Sequence, residues 1–511
     1  GVILLSSIQK VSKVMDDLHK LEVKYSKLNW TLYTTGYDFG VEEAYKERLK
    51  ALRSEENYQQ ILESRELSGL SQLDKRRIEI AYNKFRPYHL SEELNELSME
   101  IKKKTTELSK ILNSFRYQLK GKKISSVELQ QILTTDDSRE NRKEAYLSRN
   151  QINKPMVEAG FIDLLELRKE YARLYGSEDF IKYRLEEDEL DRNLFADWLK
   201  QLHKALPSMN DSRRKYAKKY LNDDTIMPWD ETYLAAKIAP GLNQQVDMSD
   251  YYNRIQEFFL KFGFNIRDYN ITYDIFPRAN KSEWGYNFTI ETARDSRIIA
   301  NVKNKYYEYG VLLHETGHAL HSFLLDPDRI ILNQGVSGII SEGIANLFQS
   351  FLYSPLFFED FFDDHQKVEE EFTIFNEFKK INSLRMLNKI FFDHKLYRNK
   401  PESLDDINEL YWKNTQEVLK EEPFEEEPPW AFIIHYTTHP IYYHNYFMGD
   451  VTCLMLEEVF KERYGTEISQ KPTQFGSFLK KEVIEPSGLY KYNELFKRIS
   501  GREFSLEYML D

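Results

Sequence analysis

The chain has 511 residues, with 83 acidic side chains against 71 basic ones and a net charge of −12. That balance, with no concentrated basic stripe, argues against a nucleic-acid partner, because neutralising phosphates is the main source of such affinity. The single cysteine, Cys453, excludes internal disulfides and any zinc site built from several thiolates.

In chain order, the opening Gly1-Val2-Ile3-Leu4-Leu5 is too short to span a bilayer, and no later run of about 20 apolar residues exists, so no membrane span is expected. The sequence starts without methionine, which leaves both a cytoplasmic and an exported, periplasmic location open. No Gly/Ser- or Pro-rich linker divides the chain, and residues 1–511 are expected to form one unit. Apolar residues at three- and four-residue spacing predict amphipathic helices over 8–26, 41–62, 91–117, 157–174 and 192–205. The exception is 270–302, where the segments 271–275, 286–290 and 297–302 read as short strands between turn-formers. Helices are expected to follow over about 306–352. Downstream, the acidic stretch 421–429 contains prolines that forbid a continuous helix and is expected to be a solvated surface loop. Cys453 falls in an apolar run and reads as inert core.

The segment after the strands contains His314-Glu315-Thr316-Gly317-His318, preceded by Val311-Leu312-Leu313. On a helix, residues four apart share a face, so His314 and His318 aim two imidazoles at one point. Glu315 stands beside the first of them, where a carboxylate could deprotonate a metal-bound water. The bland alternative is an amphipathic helix with packed or solvated histidines. The apolar frame weighs against it, because a buried helix must satisfy two imidazoles and a carboxylate, and a metal does so for all three.

A tetrahedral catalytic zinc needs a third protein ligand and an open position. Glu342, on the next helical segment, is the expected third ligand, although a glutamate near a helix start is also favoured by the helix dipole alone. Asn346, one turn on, is expected to orient a ligand imidazole through its other nitrogen. His321 lies a further turn from the metal and reads as a core-edge residue. A metzincin would need histidine at position 324, which is Leu324.

Of 11 histidines, three fall at 314, 318 and 321 and three more at 435, 439 and 444, among Tyr436, Tyr442, Tyr443 and Tyr446. Histidine and tyrosine are the neutral donors that amide hydrolysis wants where charge develops on the carbonyl oxygen. The following apolar run reads as helix, on which Tyr443 and Tyr446 share a face. An aromatic core stripe is the structural alternative in a chain with 34 tyrosines and 32 phenylalanines.

Together, His314-Glu315-x-Gly317-His318, Glu342 a helix later and the Tyr443/Tyr446 pair after a histidine resemble the gluzincin peptidases of the angiotensin-converting-enzyme and thimet-oligopeptidase families. Segment 338–347 looks closer to the former, the string His-Glu-x-Gly-His-Ala-Leu-His closer to the latter, and residues 29–35 carry a weaker likeness toward the amino terminus. The resemblance implies a mainly α, elongated helical body, divided into two halves by a deep cleft, with a small antiparallel sheet beside the HExxH helix. It implies one Zn2+ per chain and short unfolded peptides as substrates. By position, Tyr446 would stabilise the oxyanion and Tyr443 would bind the primed side. His435 would hold a substrate carbonyl, with His439 as its rival. The backbone-binding edge would correspond to Trp284-Gly285-Tyr286-Asn287, making Gly285 and Tyr286 substrate-binding positions. Two departures stand out: Ile433 replaces the converting enzymes' carboxylate-gripping lysine, and Asn445 replaces their chloride-linked arginine. Dipeptide release and chloride activation are therefore not expected to carry over.

The reading is a zinc metallopeptidase cleaving short peptides with a metal-activated water, Glu315 as proton acceptor and donor, and the peptide lying antiparallel along the edge strand near 286–290. One rival is a zinc carboxypeptidase of the large helical thermophilic type or a dipeptidyl carboxypeptidase, which needs a basic anchor that the sequence does not reveal. Another is an inactive peptide-binding scaffold of the same fold, against which the intact His314, Glu315, His318 and Glu342 argue.

Overall fold

The computed structural model describes residues 2–283 and 286–510 and is built mainly from α-helices. Among the described residues no helix is long and apolar enough to cross a membrane. Two compact units can be distinguished, each assembled from separated stretches of chain. The first comprises Gly1–Leu90, Asn243–Asp363 and Thr452–Phe504; the second comprises Ser91–Leu242, Asp364–Val451 and Ser505–Asp511.

The predicted helices form, with breaks where the backbone chemistry demands them. The expected 8–26 helix runs over Val2–Thr35. The 41–62 segment is two helices, Val41–Arg53 and Glu55–Arg65, because Ser54 adopts extended backbone and its hydroxyl accepts from Asn57 N as the cap of the second. The 91–117 segment ends as the helix Glu92–Ser114, and Tyr117 instead opens a strand (β1, Tyr117–Leu119) that pairs antiparallel with β2 (Lys122–Ile124). The 157–174 segment breaks at Gly160, whose φ of 112° suits glycine, between helices Asn153–Glu158 and Phe161–Tyr175. The 192–205 segment starts as a 3-10 turn, Arg192–Phe195, before the helix Trp198–Tyr216.

The three strands expected over 270–302 are β3 (Ile271–Asp274), β4 (Tyr286–Glu291) and β5 (Asp295–Ile299). Their order is β3-β5-β4, with β4 antiparallel to β5 and β3 parallel to it. The small sheet is thus mixed: the β4–β5 hairpin has the antiparallel pairing expected, and β3 adds on the far side through a longer connection. Both β3 and β4 are edge strands.

Two faces of β4 explain its place in the first unit. Phe288 and Ile290 alternate onto one face and pack against Trp30, Val23 and Tyr33 of the amino-terminal helix. Asn287 points to the other side, where its Nδ2 donates to the carbonyl of Glu315 at 3.4 Å. Tyr273 of β3 bonds Thr316 hydroxyl to hydroxyl at 2.7 Å, and Ala293 N donates to Ser322 Oγ at 3.0 Å. The sheet is therefore strapped along the helix Glu308–Phe323, which carries the His-Glu-x-x-His run.

In the second unit, the acidic stretch is irregular, as its prolines require, but it is anchored rather than simply solvated. Glu421 pairs with Arg385, Glu426 lies 3.7 Å from Lys143, and Glu427 accepts from Asn408 at 2.9 Å. Cys453, which belongs to the first unit, is a buried free thiol within the helix Tyr443–Tyr464.

Candidate metal centre and histidine–tyrosine cluster

The motif helix is placed from its first turn. Glu308 is 6 % exposed, and its carboxylate accepts from the backbone of Lys303 at 2.7 and 2.8 Å and of Lys305 at 2.8 Å. It thereby fixes the chain as it leaves the sheet and satisfies donors at the positive end of the helix. Leu312, Leu313, Ala319 and Leu320 are buried on one side, and the partner helix Gly338–Ser350 buries Ile344, Ala345, Leu347 and Phe348. Gly317 permits the close approach of the two helices. A Cβ there would stand 3.1 Å from Ala345 Cα and 3.2 Å from Phe348 Cδ2. Ser337 caps the partner helix by accepting from Ile339 N and Ile340 N.

These two helices bring together the three residues expected as metal ligands. His314 Nε2 lies 3.0 Å from Glu342 Oε1 and His318 Nε2 lies 3.2 Å from Glu342 Oε2. Their ligating atoms all fall within 4.8 Å of one another. The separations suit a metal: a tetrahedron with arms of about 2.1 Å puts its donors roughly 3.4 Å apart. Two imidazole nitrogens and one carboxylate are also the borderline donor set that zinc accepts.

Each imidazole is oriented through its other nitrogen. His314 Nδ1 meets Gln349 Oε1 at 2.9 Å, and His318 Nδ1 meets Ser341 Oγ at 3.0 Å. Gln349 and Ser341, neither singled out from sequence, stand in the orienting role; Asn346, for which helical spacing suggested the same role, is half-buried on the same helix. The signal was present for Gln349, which stands seven residues after Glu342 and so on nearly the same face. With a carbonyl oxygen facing it, His314 Nδ1 would keep its proton when a metal is bound, leaving Nε2 free to ligate.

The electrostatics follow from crowding. Burial disfavours the Glu342 carboxylate, but hydrogen bonds from His314 and His318 outweigh it and hold its pKa well below the usual carboxylate range. Burial likewise disfavours a charged His314, but the bond to Glu342 and that carboxylate's charge raise its pKa. Glu315 is shifted upward, chiefly by burial, against the opposing pull of His314 and His318. A half-buried carboxyl with a raised pKa is a better proton acceptor than a solvated one. His321 is 4 % exposed, and burial pushes its pKa down to about 3. It is a neutral core residue, as its extra turn along the helix predicted.

The downstream cluster belongs to the second unit. His435 Nε2 lies 3.1 Å from the Tyr446 hydroxyl, and the His435 ring centre is 4.6 Å from that of Tyr443 and 5.6 Å from that of His439. Tyr446 is 39 % exposed, so it is not an aromatic core residue. His439 is tied instead to Thr438 Oγ1 at 2.8 Å, and His444 is buried, 3.7 Å from Asp188. The chain between His435 and Tyr443 is clamped from three helices. Arg168 donates to the carbonyls of Thr437 and, at 3.2 Å, of Tyr436; Arg184 donates to Pro440 O at 3.2 Å; Asp393 accepts from Ile441 N at 2.7 Å. The last bond supports a strained point, since Ile441 is a β-branched residue at φ 53°. None of Arg168, Arg184 and Asp393 was visible as a functional residue in the sequence. Of the expected backbone-binding positions, Gly285 lies outside the described residues, while Tyr286 begins β4 and its side chain is likewise not described.

Comparisons with known proteins bear on this geometry. Residues 264–511, which include both histidine clusters, match the profile of Peptidase family M3. The search of curated proteins finds no match. Among solved structures, the M32 carboxypeptidase from Deinococcus radiodurans R1 is similar, with a TM-score of 0.67 at 13 % identity, over 99 % of this chain and 97 % of that one. The Pyrococcus furiosus carboxypeptidase is similar, with a TM-score of 0.67 at 15 % identity over 99 % and 97 % of the two chains. PZ peptidase A follows at 0.66 and 15 %, over 99 % and 94 %. At such identities these structures speak to the fold alone. Family profile, His-Glu-x-x-His helix and converging Glu342 agree: the chain carries a Peptidase family M3 domain over residues 264–511 and is a metallopeptidase of the gluzincin zinc-peptidase clan.

Proposed function

We propose that the protein is a zinc-dependent oligopeptidase that hydrolyses short unfolded peptides, residues 1–511 acting as a single enzyme. The observation that carries this reading is the convergence of two imidazole nitrogens on the Glu342 carboxylate, with Glu315 one residue from the first. His314, His318 and Glu342 would hold one Zn2+. Bound there, zinc supplies Lewis acidity toward a water and the peptide carbonyl. Glu315 accepts a proton from the attacking water as its oxygen bonds to the carbonyl carbon. It then delivers that proton to the departing amine as the C–N bond breaks. Tyr446 donates its hydroxyl to the oxyanion, a role supported by its exposure and by its bond to His435. Tyr443 contacts the peptide's primed side, and His435, with His439 as alternative, holds a carbonyl. Since β4 is an edge strand, a peptide along residues 286–290 would extend the sheet, with Gly285 and Tyr286 at its start.

A second reading is a carboxypeptidase or dipeptidyl carboxypeptidase, favoured by the likeness to two carboxypeptidase structures. Mass spectrometry of products from a mixed peptide pool tests both. Internal fragments are expected of an oligopeptidase, ladders shortened from the carboxyl end of a carboxypeptidase, and released pairs of residues of a dipeptidyl carboxypeptidase. No cleavage of any peptide, with metal bound, would overturn both readings.

A further inference from the structure

Among the described residues, the second unit contains a lysine ammonium beside Tyr443 with no ion pair of its own. Arg385 is paired with Glu421 and lies 3.5 Å from Glu231, which is also 3.6 Å from Arg213. Four residues after Arg385, Lys389 differs. Among the described residues its ammonium has no ion pair and no hydrogen bond, because the nearby acids are already committed to the arginines. It lies over the face of Tyr443, whose ring centre is 5.6 Å from Nζ.

Lys389 is exposed to water. Enough protein surrounds the ammonium to push its pKa down, chiefly by desolvation, with the Arg149 cation adding to the effect against the pull of Glu231. Among the described residues Arg149 has no carboxylate partner; it stacks 4.7 Å from the Phe432 ring centre and donates to Gln130 Oε1 at 2.9 Å. Lys389 thus stands as a cation beside Tyr443 and His435 in a chain of net charge −12. A partly desolvated ammonium without a partner loses hydration without gaining a counter-charge, an arrangement that favours an arriving anion.

We propose that Lys389 is the anchor for a carboxylate of the peptide substrate, beside Tyr443. The carboxylate belongs either to the free carboxyl terminus or to an aspartate or glutamate side chain. The proposal rests on the peptidase reading above and supplies the basic anchor that a carboxyl-terminal specificity requires.

The test uses the metal-loaded enzyme and three peptides of one otherwise uncharged sequence: the free acid, its terminal amide, and the amide with one internal glutamate. Lys389→Met should raise KM roughly 10- to 100-fold for a carboxylate-bearing peptide, leaving the plain amide unchanged, and Lys389→Arg should recover most of the loss. An effect confined to the free acid identifies the carboxyl terminus, and one confined to the glutamate peptide identifies a side chain. Equal change on all three peptides, or none, overturns the proposal and leaves Lys389 as a packing partner of Tyr443. Should the wild type cleave none of them, the peptidase reading falls. Equilibrium binding of the same peptides then decides Lys389: carboxylate-dependent binding lost in Lys389→Met supports it, and identical binding overturns it.

Discussion

Glu315 separates chemistry from metal binding, because it neighbours His314 without being one of the three converging donors. Glu315→Gln keeps the size and polarity of the side chain but cannot take the water's proton. Metal content should stay at the wild-type level while kcat falls on the order of 10²-fold or more, the scale of a lost general base; steady-state kinetics beside elemental analysis checks both. Gln349 and Ser341 act through the imidazoles they orient. Gln349→Ala should weaken zinc affinity roughly 10- to 100-fold, read by competition with a chelator, while the fold and its circular dichroism persist. Tyr446→Phe removes one hydroxyl from an exposed ring. If that hydroxyl serves the oxyanion, kcat drops roughly 10- to 10³-fold with KM little changed. A kcat near wild type would return the His435–Tyr446 pair to a structural role.

At the scale of elements, the motif helix and its partner meet where Gly317 faces Ala345 and Phe348. Gly317→Ala gains about 1 kcal/mol of helix propensity but forces a methyl into contacts of 3.1 and 3.2 Å, and overpacking of that kind costs about 1–3 kcal/mol. The clash should win, lowering the melting temperature and weakening zinc binding, because parting the helices moves Glu342 from the two histidines. Asp393, which holds the strained Ile441, has its pKa pushed up to about 7 by burial. A carboxyl whose folded pKa exceeds its unfolded value stabilises the fold fully below the unfolded value, near 4, and that contribution is lost as pH rises through about 7. Asp393→Asn lacks this slope, so comparing melting temperatures at pH 5 and pH 8 should show the wild type losing ground to the variant. The same elements show what a linear sequence carries. The helical periodicity, the three strands and the His-Glu-x-x-His donors were legible because period and spacing encode them locally. The parallel addition of β3 and the break at Ser54 were not, since a pairing direction and a competing cap depend on what else the backbone meets. Lys389 was invisible for a related reason: a lysine becomes notable only when the surrounding acids are known to be engaged elsewhere.

For the whole molecule, a metal held by His314, His318 and Glu342 would be a folding ligand as well as a cofactor, because it would join two helices of the first unit. Whatever binds the folded state alone raises its apparent stability by mass action. Chelation should therefore lower the melting temperature, and His318→Ala should melt like the chelated wild type whether or not zinc is present, since two ligands hold zinc poorly. The most direct test of the account is metal content measured by elemental analysis with peptide hydrolysis on one sample, before chelation, after it, and after zinc is restored. The account predicts about one zinc per chain, hydrolysis lost on chelation and regained with zinc, and neither metal nor activity in His318→Ala. Hydrolysis that persists without metal, or a His318→Ala variant that retains both, would contradict it.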